Sequence, residues 1–342
     1  MDFIVKTDTG IRQALSILNE LAPEITCLFV VDEEEKVLGS LSDGDIRRGM
    51  LAGVGIDRPV TTVMHRDFKF LRQGDMDVAM LKSFRDRHIL FVPVLDDGGR
   101  LVDMVNLVKY RSRLPISAVL MAGGKGERLR PLTENTPKPL LPVGDKAIID
   151  YNVERFVSYG IRDIRVSVNY LAGQIEDHFA RPFDGVQVKC VREKEFQGTI
   201  GAVRQMTSFD EDTVLVMNSD IFTNIDLEDF YLHFLQNGAD FSVAAVPYNV
   251  SIPYGILDLD GRRVKGVIEK PVFNYYAGAG IYLMKKSVID SIPADSFFHA
   301  TDLMEKLVSE GRNVIRYPLN GTWVDIGSLK EYQRACDLAR HL

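Results

Sequence analysis

Cysteine is scarce in this chain: three residues in 342, Cys27, Cys190 and Cys336, far apart and odd in number. No Cys-x-x-Cys pair exists. That leaves no zinc knuckle and no disulfide framework, and the thiols read as buried or inert. A basic excess is also missing. Lys and Arg number 41 against 48 Asp and Glu, a net charge of −7, with no basic or aromatic stripe. Both facts argue against nucleic acid. No apolar run approaches the ~20 residues of a membrane span. The opening segment Met1-Asp-Phe-Ile-Val-Lys-Thr-Asp8 has no basic leader. A cytoplasmic protein with no membrane partner is expected. What is present is an ordinary globular composition, 46% apolar and 26% charged, at a length that suggests two or three domains.

The first part repeats itself with an offset of 64 residues: Val30-Val31-Asp32 and Val37-Leu38-Gly39 align with Val94-Leu95-Asp96 and Leu101-Val102-Asp103. Each unit reads as helix, strand, acidic turn, strand and second helix. Helical spacing appears at Ile11, Leu15 and Leu18, and again at Met76, Met80 and Phe84. The segments 32–36 and 96–100 are hairpin turns by composition. One such unit cannot close a core alone, so the two should pack as a pair. Residues 113–116 read as a linker, with Pro115 breaking any preceding helix.

From Ile116 the pattern becomes alternating strands and helices. Strands are expected at 116–122, 164–168, 186–191 and 214–217, with helices at 149–159 and 174–179 and another beginning at 201. A closing amphipathic helix is expected at 329–342, with Tyr332 and Leu338 as core contacts. This alternation predicts an α/β fold, a mostly parallel sheet flanked by helices. Ligands then lie beyond the carboxyl ends of the strands. The glycine-rich loop after the first strand falls there, as does Asp220.

That loop begins in the string Ala118-Val-Leu-Met-Ala-Gly-Gly-Lys-Gly-Glu-Arg-Leu-Arg-Pro-Leu-Thr133, followed by Pro137-Lys138-Pro139. Glycines let backbone approach a ligand closely, and some need positive φ. The frame is neither a P-loop nor a GxGxxG dinucleotide loop. Arg128 offers a fork of donors for phosphate oxygens, and Lys138 is held between two prolines. The combination suits a nucleoside triphosphate. The bland alternative is a solvated basic turn.

At these residues the chain resembles the sugar-1-phosphate nucleotidyltransferases, a family with a Rossmann-like sheet and a sugar-binding subdomain. The resemblance covers 117–342. Later segments fit in order: Gly198-Thr199-Ile200-Gly201-Ala202, Asn218-Ser219-Asp220, Tyr254-Gly255-Ile256, Glu269-Lys270-Pro271, Gly278-Ala279-Gly280-Ile281-Tyr282 and Trp323-Val324-Asp325-Ile326-Gly327. The resemblance implies that a sugar 1-phosphate attacks the α-phosphorus of a nucleoside triphosphate and pyrophosphate leaves. It implies Mg²⁺, replaceable by Mn²⁺, on Asp220 and Asp325, and catalytic roles for Arg128 and Lys138. Ala122, Gly123, Gly124, Gly126, Glu193, Gly198 and Thr199 match the nucleotide side. Tyr254, Gly255, Glu269, Lys270 and Gly280 match the sugar-phosphate side. The bland readings are a helix cap for Asp220, a turn residue for Asp325 and a surface ion pair for Glu269-Lys270.

Glu193 stands where uridylyl and thymidylyl members carry Gln. A carboxylate only accepts hydrogen bonds, and guanine presents two adjacent donors, so Glu193 points to GTP. Otherwise it is a solvent-facing charge in Arg192-Glu-Lys-Glu195. Phe196-Gln197 departs from the Pro-Leu common before this Gly-Thr. Uridylyl or thymidylyl transfer, and mannose-1-phosphate guanylyl transfer, stay open.

Residues 1–112 resemble a tandem pair of cystathionine-β-synthase-type (CBS) domains, an α+β module. Gly39-Ser40-Leu41-Ser42-Asp43-Gly44-Asp45 is similar to their ribose-binding motif, which implies Ser42 and Asp45 as ligands of an adenine nucleotide. The second repeat has Asp103, Asn106 and Lys109 instead, so its site looks lost. Otherwise Asp45 caps the helix beginning at Ile46, and the pair only dimerises. A CBS pair before such a transferase resembles the glucosamine-1-phosphate guanylyltransferases of legionaminic-acid-type pathways. A homodimer or higher oligomer is expected. No hexapeptide-repeat segment follows, so a second, acetyltransferase activity is not expected. The opposing class is a nucleotide sensor with a decayed transferase domain, which retention of Arg128, Lys138, Asp220 and Asp325 together argues against.

Overall fold

The computed structural model describes residues 3–206, 208–294 and 296–340. The chain divides into two compact units, Met1–Leu114 with Ser158–Gly160, and Pro115–Val157 with Ile161–Leu342.

The first unit holds β1 (Ile4–Lys6), α1 (Ile11–Leu21), β2 (Cys27–Val31), β3 (Val37–Ser42), α2 (Asp43–Leu51), β4 (Leu71–Arg72), α3 (Val78–Asp86), β5 (Phe91–Leu95) and β6 (Leu101–Asn106). They form two three-stranded sheets, β1-β2-β3 and β4-β5-β6. In each the first pair is parallel and the second antiparallel. Each carries a bulge at the same place in the repeat, Val30/Val31 and Val94/Leu95. Two expectations fail here. The second repeat has no closing helix, because the chain turns after Asn106, whose side chain accepts from Val108 N and Lys109 N. On α3 the buried stripe is Val78, Leu81 and Phe84, and Met80 is exposed. The apolar residues at 76, 80 and 84 keep helical spacing but one turn lies outside α3.

The second unit begins with β7 (Ser117–Ala122), followed by the two-residue strands β8 (Pro142–Val143) and β9 (Lys146–Ala147). Next come α4 (Ile148–Ser158), β10 (Ile164–Val168), α5 (Ala172–His178), β11 (Val188–Arg192), β12 (Thr213–Asn218), β13 (Ile221–Thr223) and α6 (Leu227–Gln236). The chain closes with β14 (Phe241–Ser251), β15 (Ile256–Asp260), β16 (Arg263–Ile268), β17 (Val272–Lys285), α7 (Ala300–Ser309), β18 (Val314–Pro318), β19 (Trp323–Asp325) and α8 (Leu329–Ala339). Seven strands form one sheet in the order β11-β10-β7-β12-β17-β14-β18. Every neighbouring pair is parallel except the two made by β17. The near-continuous apolar runs of β7 and β12 are what a sheet covered on both faces requires; β10 is equally buried although Arg165 and Ser167 interrupt it. Val119, Val216, Phe241, Met284 and Leu303 pack into one core cluster. Each such side chain contributes about 1.5–3 kcal/mol by leaving water.

The segment Gly201–Gln205 is a short 3-10 turn instead of an α-helix. Its apolar residues Ala202 and Val203 are buried, but five residues suit the tighter winding. Tyr332 and Leu338 pack beside the cluster of Leu141, Phe222 and Ile326, as expected; residues 341–342 lie outside the described residues.

Candidate active site

Sequence order along the sheet runs outward from β7 through β10 to β11 on one side, then returns to β12 on the other. That reversal opens a crevice at the carboxyl ends of β7 and β12. A cavity of about 650 Å³ occupies it. Its walls come from the residues just after each parallel strand: the 123–129 loop after β7, Asn169 after β10, Glu193 after β11, and Asn218–Asp220 at the end of β12. Lys138, Phe196, Gly198, Thr199 and Gly327 complete much of the lining.

Four charged side chains gather on one side. Lys138 sits in a 3-10 turn, Lys138–Leu140, between Pro137 and Pro139, and is 8% exposed. Its Nζ donates to Asp220 Oδ2 in a short ion pair. Asp220 caps no helix; it lies in the turn between β12 and β13. β13 pairs antiparallel with β19, setting Ile221 opposite Asp325, and Ile326 N donates to Asp220 O at 3.1 Å. This pairing joins two carboxylates that are 105 positions apart in sequence. Lost hydration and the Asp220 charge push the Asp325 carboxyl above its ordinary range, while Lys138 and Arg128 pull it the other way. Arg128 lies against Gly327, where a Cβ would stand 3.2 Å from its Nη1.

The glycine loop fits this arrangement at two positions. Gly126 has φ 63°, and a Cβ there would meet Thr133 Cγ2 at 3.0 Å and Lys138 Cβ at 3.1 Å. Thr133 Oγ1 donates to Gly126 O at 2.8 Å, fastening the loop. Gly123 needs no positive φ. It is small because a Cβ would fall 2.5 Å from Glu193 Oε1.

Glu193 is 3% exposed, so it is not a solvent-facing charge. Ser167 Oγ donates to its Oε1, and Gln197 N donates to its Oε2 at 3.1 Å. Asn169 Nδ2 donates to its carbonyl at 3.2 Å. These bonds fix the carboxylate at the cavity wall with acceptor lone pairs left over. Ser167 and Asn169 escaped the sequence reading. The signal for Ser167 was weak: Ile164-Arg-Val-Ser-Val168 alternates apolar and polar residues, and a polar side chain in such a strand needs a partner if it is buried.

Residues 117–340 match the nucleotidyl transferase family. The chain belongs to that family. Residues 2–52 match the CBS domain. A Sulfolobus acidocaldarius protein provisionally named mannose-1-phosphate guanyltransferase is 31% identical over 223 residues, covering 64% of this chain and 62% of the relative. The chain thus spans less than two thirds of that relative's length. The D-glycero-alpha-D-manno-heptose 1-phosphate guanylyltransferase of Campylobacter jejuni is 28% identical over 193 residues, covering 56% of this chain and 86% of the relative. The solved structure of a provisionally named glucose-1-phosphate thymidylyltransferase from Bacillus anthracis matches with a TM-score of 0.54 at 25% identity, covering 66% of this chain and 96% of that one.

In this nucleotidyl transferase the sugar-side candidates stand apart from the nucleotide side. Tyr254, Gly255, Glu269 and Lys270 do not line the cavity. Tyr254-Gly255 precedes β15 and Glu269-Lys270 follows β16, at the root of an exposed hairpin. The two halves of that root meet, since a Cβ on Gly255 would lie 3.0 Å from Glu269 Oε2. Gly280 stands behind the cavity wall, against Asn218. Ala122, Gly123, Gly124, Gly198 and Thr199 do line the cavity. Thr199 Oγ1 also accepts from Ala300 N at 3.0 Å, tying the loop to the start of α7.

In the first unit Ser42 and Asp45 satisfy each other. Ser42 is the N-cap of α2, its N–H donates to Asp45 Oδ2 at 2.8 Å, and Asp45 N donates back to its Oγ at 3.3 Å. Arg48 Nη2 takes Asp45 Oδ1 at 2.6 Å. This is a capping box with its orphan donors filled.

Proposed function

We propose that the chain transfers a guanylyl group from GTP to a sugar 1-phosphate, forming a nucleoside-diphosphate sugar and releasing pyrophosphate. The observation that carries this reading is the convergence of Arg128, Lys138, Asp220 and Asp325 beside the glycine loop at the strand ends. A sugar-phosphate oxygen forms a bond to the α-phosphorus as the bond to the pyrophosphate oxygen breaks. That nucleophile is already an anion, so no general base is required. The chain's task is alignment and charge compensation. Lys138 and Arg128 carry the positive charge that meets the α-phosphate and the departing pyrophosphate. The missing side chains at Gly123, Gly124 and Gly126 let the loop backbone approach the phosphates, while Lys125 adds a further cation to the lining.

Among the described residues no group of three or more His, Cys, Asp or Glu side chains gathers as a ready metal cage. Two carboxylates close enough for one to raise the pKa of the other do fit Mg²⁺, or Mn²⁺ in its place. Such an ion keeps waters and takes its remaining ligands from substrate phosphates. Bound to Asp220 and Asp325, it would supply charge neutralisation at the α-phosphate. The three unpaired cysteines fit a reducing, cytoplasmic setting.

Glu193 supports guanine, because it is buried, held in place and can only accept. The two relatives named for guanylyl transfer differ in their named sugars, mannose 1-phosphate and a heptose 1-phosphate. They share the base and leave the acceptor open, with glucosamine 1-phosphate among the acceptors to try. The test is pyrophosphate release over five triphosphates and several sugar 1-phosphates, for the wild type and Glu193→Gln. GTP should be preferred, and Glu193→Gln should narrow that preference about 10–100-fold, the effect of losing one or two discriminating hydrogen bonds. A wild-type preference for UTP or dTTP refutes the base assignment. No release with any pair favours a sensor. For residues 1–112, read as a tandem CBS pair, an adenine nucleotide at Ser42 and Asp45 has less support than the capping role both already fill.

A further inference from the structure

Twelve of the twenty-four exposed large hydrophobic side chains among the described residues fall between Tyr248 and Tyr276. They sit on the outer halves of β14 and β17 and on the hairpin β15–β16, with Tyr254 between β14 and β15. In the hairpin, Leu257 pairs with Val267 and Leu259 with Val264. Directly opposed residues share a face, as do residues two apart on one strand. The bulge opposite Asp258/Leu259 takes up Lys265 and keeps Val264 in step. Leu257, Leu259, Val264 and Val267 therefore make one continuous apolar face, each 52% to 60% exposed. Asp258, Asp260 and Arg263 stand on the opposite face. The outer ribbon carries a second apolar row: Tyr248 opposes Tyr275, Val250 opposes Phe273, and the Phe273 and Tyr275 rings stack with centroids 6.5 Å apart, while exposed Val272 and Tyr276 lie on its other face.

Apolar–polar alternation along a strand is the pattern of a sheet with one face buried. Here that face is in water. A two-stranded hairpin is marginal by itself, and an exposed apolar patch of this size marks an interaction surface. We propose that the cover is a second copy of this chain, packed hairpin to hairpin about a two-fold axis.

Three features favour a second copy over a different partner. The hairpin and its root carry Asp258, Asp260 and Glu269 against Arg262, Arg263, Lys265 and Lys270, a net charge of only +1, too small a bias to select an acidic partner. Nearly balanced, interspersed charges suit self-pairing across a two-fold axis. The area also fits. The four side chains of the hairpin face with Tyr248, Val250, Phe273 and Tyr275, 37% to 60% exposed, offer on the order of 700 Å² per copy, close to the roughly 800 Å² per partner of a stable interface. Finally, β15 and β16 pair only with each other, so each leaves an outer edge able to meet a partner strand. The hairpin root bears Tyr254, Gly255, Glu269 and Lys270, so holding the hairpin fixes the sugar side of the site. This last coupling rests on the proposed function; the surface itself does not.

The test uses the full chain. Light scattering after size exclusion should give a dimer mass for the wild type and a monomer mass for Leu257→Lys/Val267→Lys. Far-UV circular dichroism should be unchanged. Should the lysine pair disturb folding, Leu257→Thr/Val267→Thr keeps a β-branched hairpin and should raise the dimer dissociation constant at least about 10-fold. A monomeric wild type overturns the proposal, and so does an oligomer whose mass neither pair alters. In steady-state assays the monomeric variant should show a raised KM for the sugar 1-phosphate and an unchanged KM for GTP. An unchanged sugar KM overturns the coupling. A chain that releases no pyrophosphate with any substrate refutes the catalytic reading, while the mass measurement still decides the surface.

Discussion

At the cavity, Lys138 and Glu193 are charged residues almost wholly withdrawn from water; on the ribbon, Leu257 and Val267 are hydrophobic residues largely left in it. Each breaks the usual rule of burial in the opposite sense. The buried charges are tolerated because each has partners: Asp220 for Lys138, Ser167 and the Gln197 N–H for Glu193. The exposed apolar face has no such partner on its own unit. The lesson is that a departure from ordinary burial points to what the region is built to meet. On the readings proposed above, Lys138 would meet a polyanion, Glu193 a base edge, and the open apolar face another protein surface.

The largest effect should come from breaking the cavity's charge set. Asp220→Asn keeps the shape, removes one carboxylate and leaves Lys138 without its counter-charge. Turnover at saturating GTP and sugar 1-phosphate should fall at least about 10³-fold, as when a charge-stabilising group is lost. Thermal unfolding should show a folded protein. By contrast, Leu257→Lys/Val267→Lys should not lower turnover on that scale. Activity retained in Asp220→Asn would break the comparison at its stronger end.

A pair of glycines sharpens the contrast at intermediate size. Gly126 and Gly261 have nearly the same backbone, φ 63° and 59°. A Cβ on Gly126 would press on Thr133 and Lys138, whereas nothing lies within 4 Å of one on Gly261. Gly126→Ala therefore combines left-handed strain with displacement of Lys138, and turnover should fall about 10–100-fold. Gly261→Ala carries the strain alone, about 1–2 kcal/mol, read as a lower unfolding midpoint with turnover unchanged. Equal turnover in the two variants would show that the loop does not position Lys138.

How much of this was readable from sequence follows the same division. The place of Gly123 and Asp220 beyond the strand ends was legible because alternating strands and helices restrict it; Asp325, on the small β13–β19 sheet, came only through the family resemblance. The Asp220–Asp325 meeting was not readable as geometry, since it depends on the pairing of β13 with β19. Ser167 was obscured because alternation with Arg165 makes its strand read as half exposed, and the 201–205 segment because its periodicity is too short to separate a 3-10 turn from a helix. For Ser42 and Asp45 one motif served two readings, a ribose site and a helix cap, and the geometry shows the cap made. For the hairpin, alternation signals that one face is buried and never states by what.

The smallest expected effect lies at the anchored end of the strands that carry the ribbon. Asp240 precedes β14; its Oδ1 accepts from Lys285 Nζ at 2.9 Å and its Oδ2 from Asn313 N at 3.1 Å. Its carboxyl lies below the ordinary carboxylate range, chiefly through the Lys285 hydrogen bond and despite some lost hydration. A depressed folded-state pKa stabilises above the unfolded value, and the gain is lost as pH falls through the folded one. Asp240→Asn should therefore cost about 1 kcal/mol at neutral pH, since the pair is only partly shielded. Chemical unfolding of wild type and variant should converge as pH falls from the ordinary carboxylate range through the lower folded-state value. A gap that persists at acid pH would mean that Asp240 acts by shape instead of charge. The anchored end of the ribbon would then resemble its apolar tip more than the charged cavity.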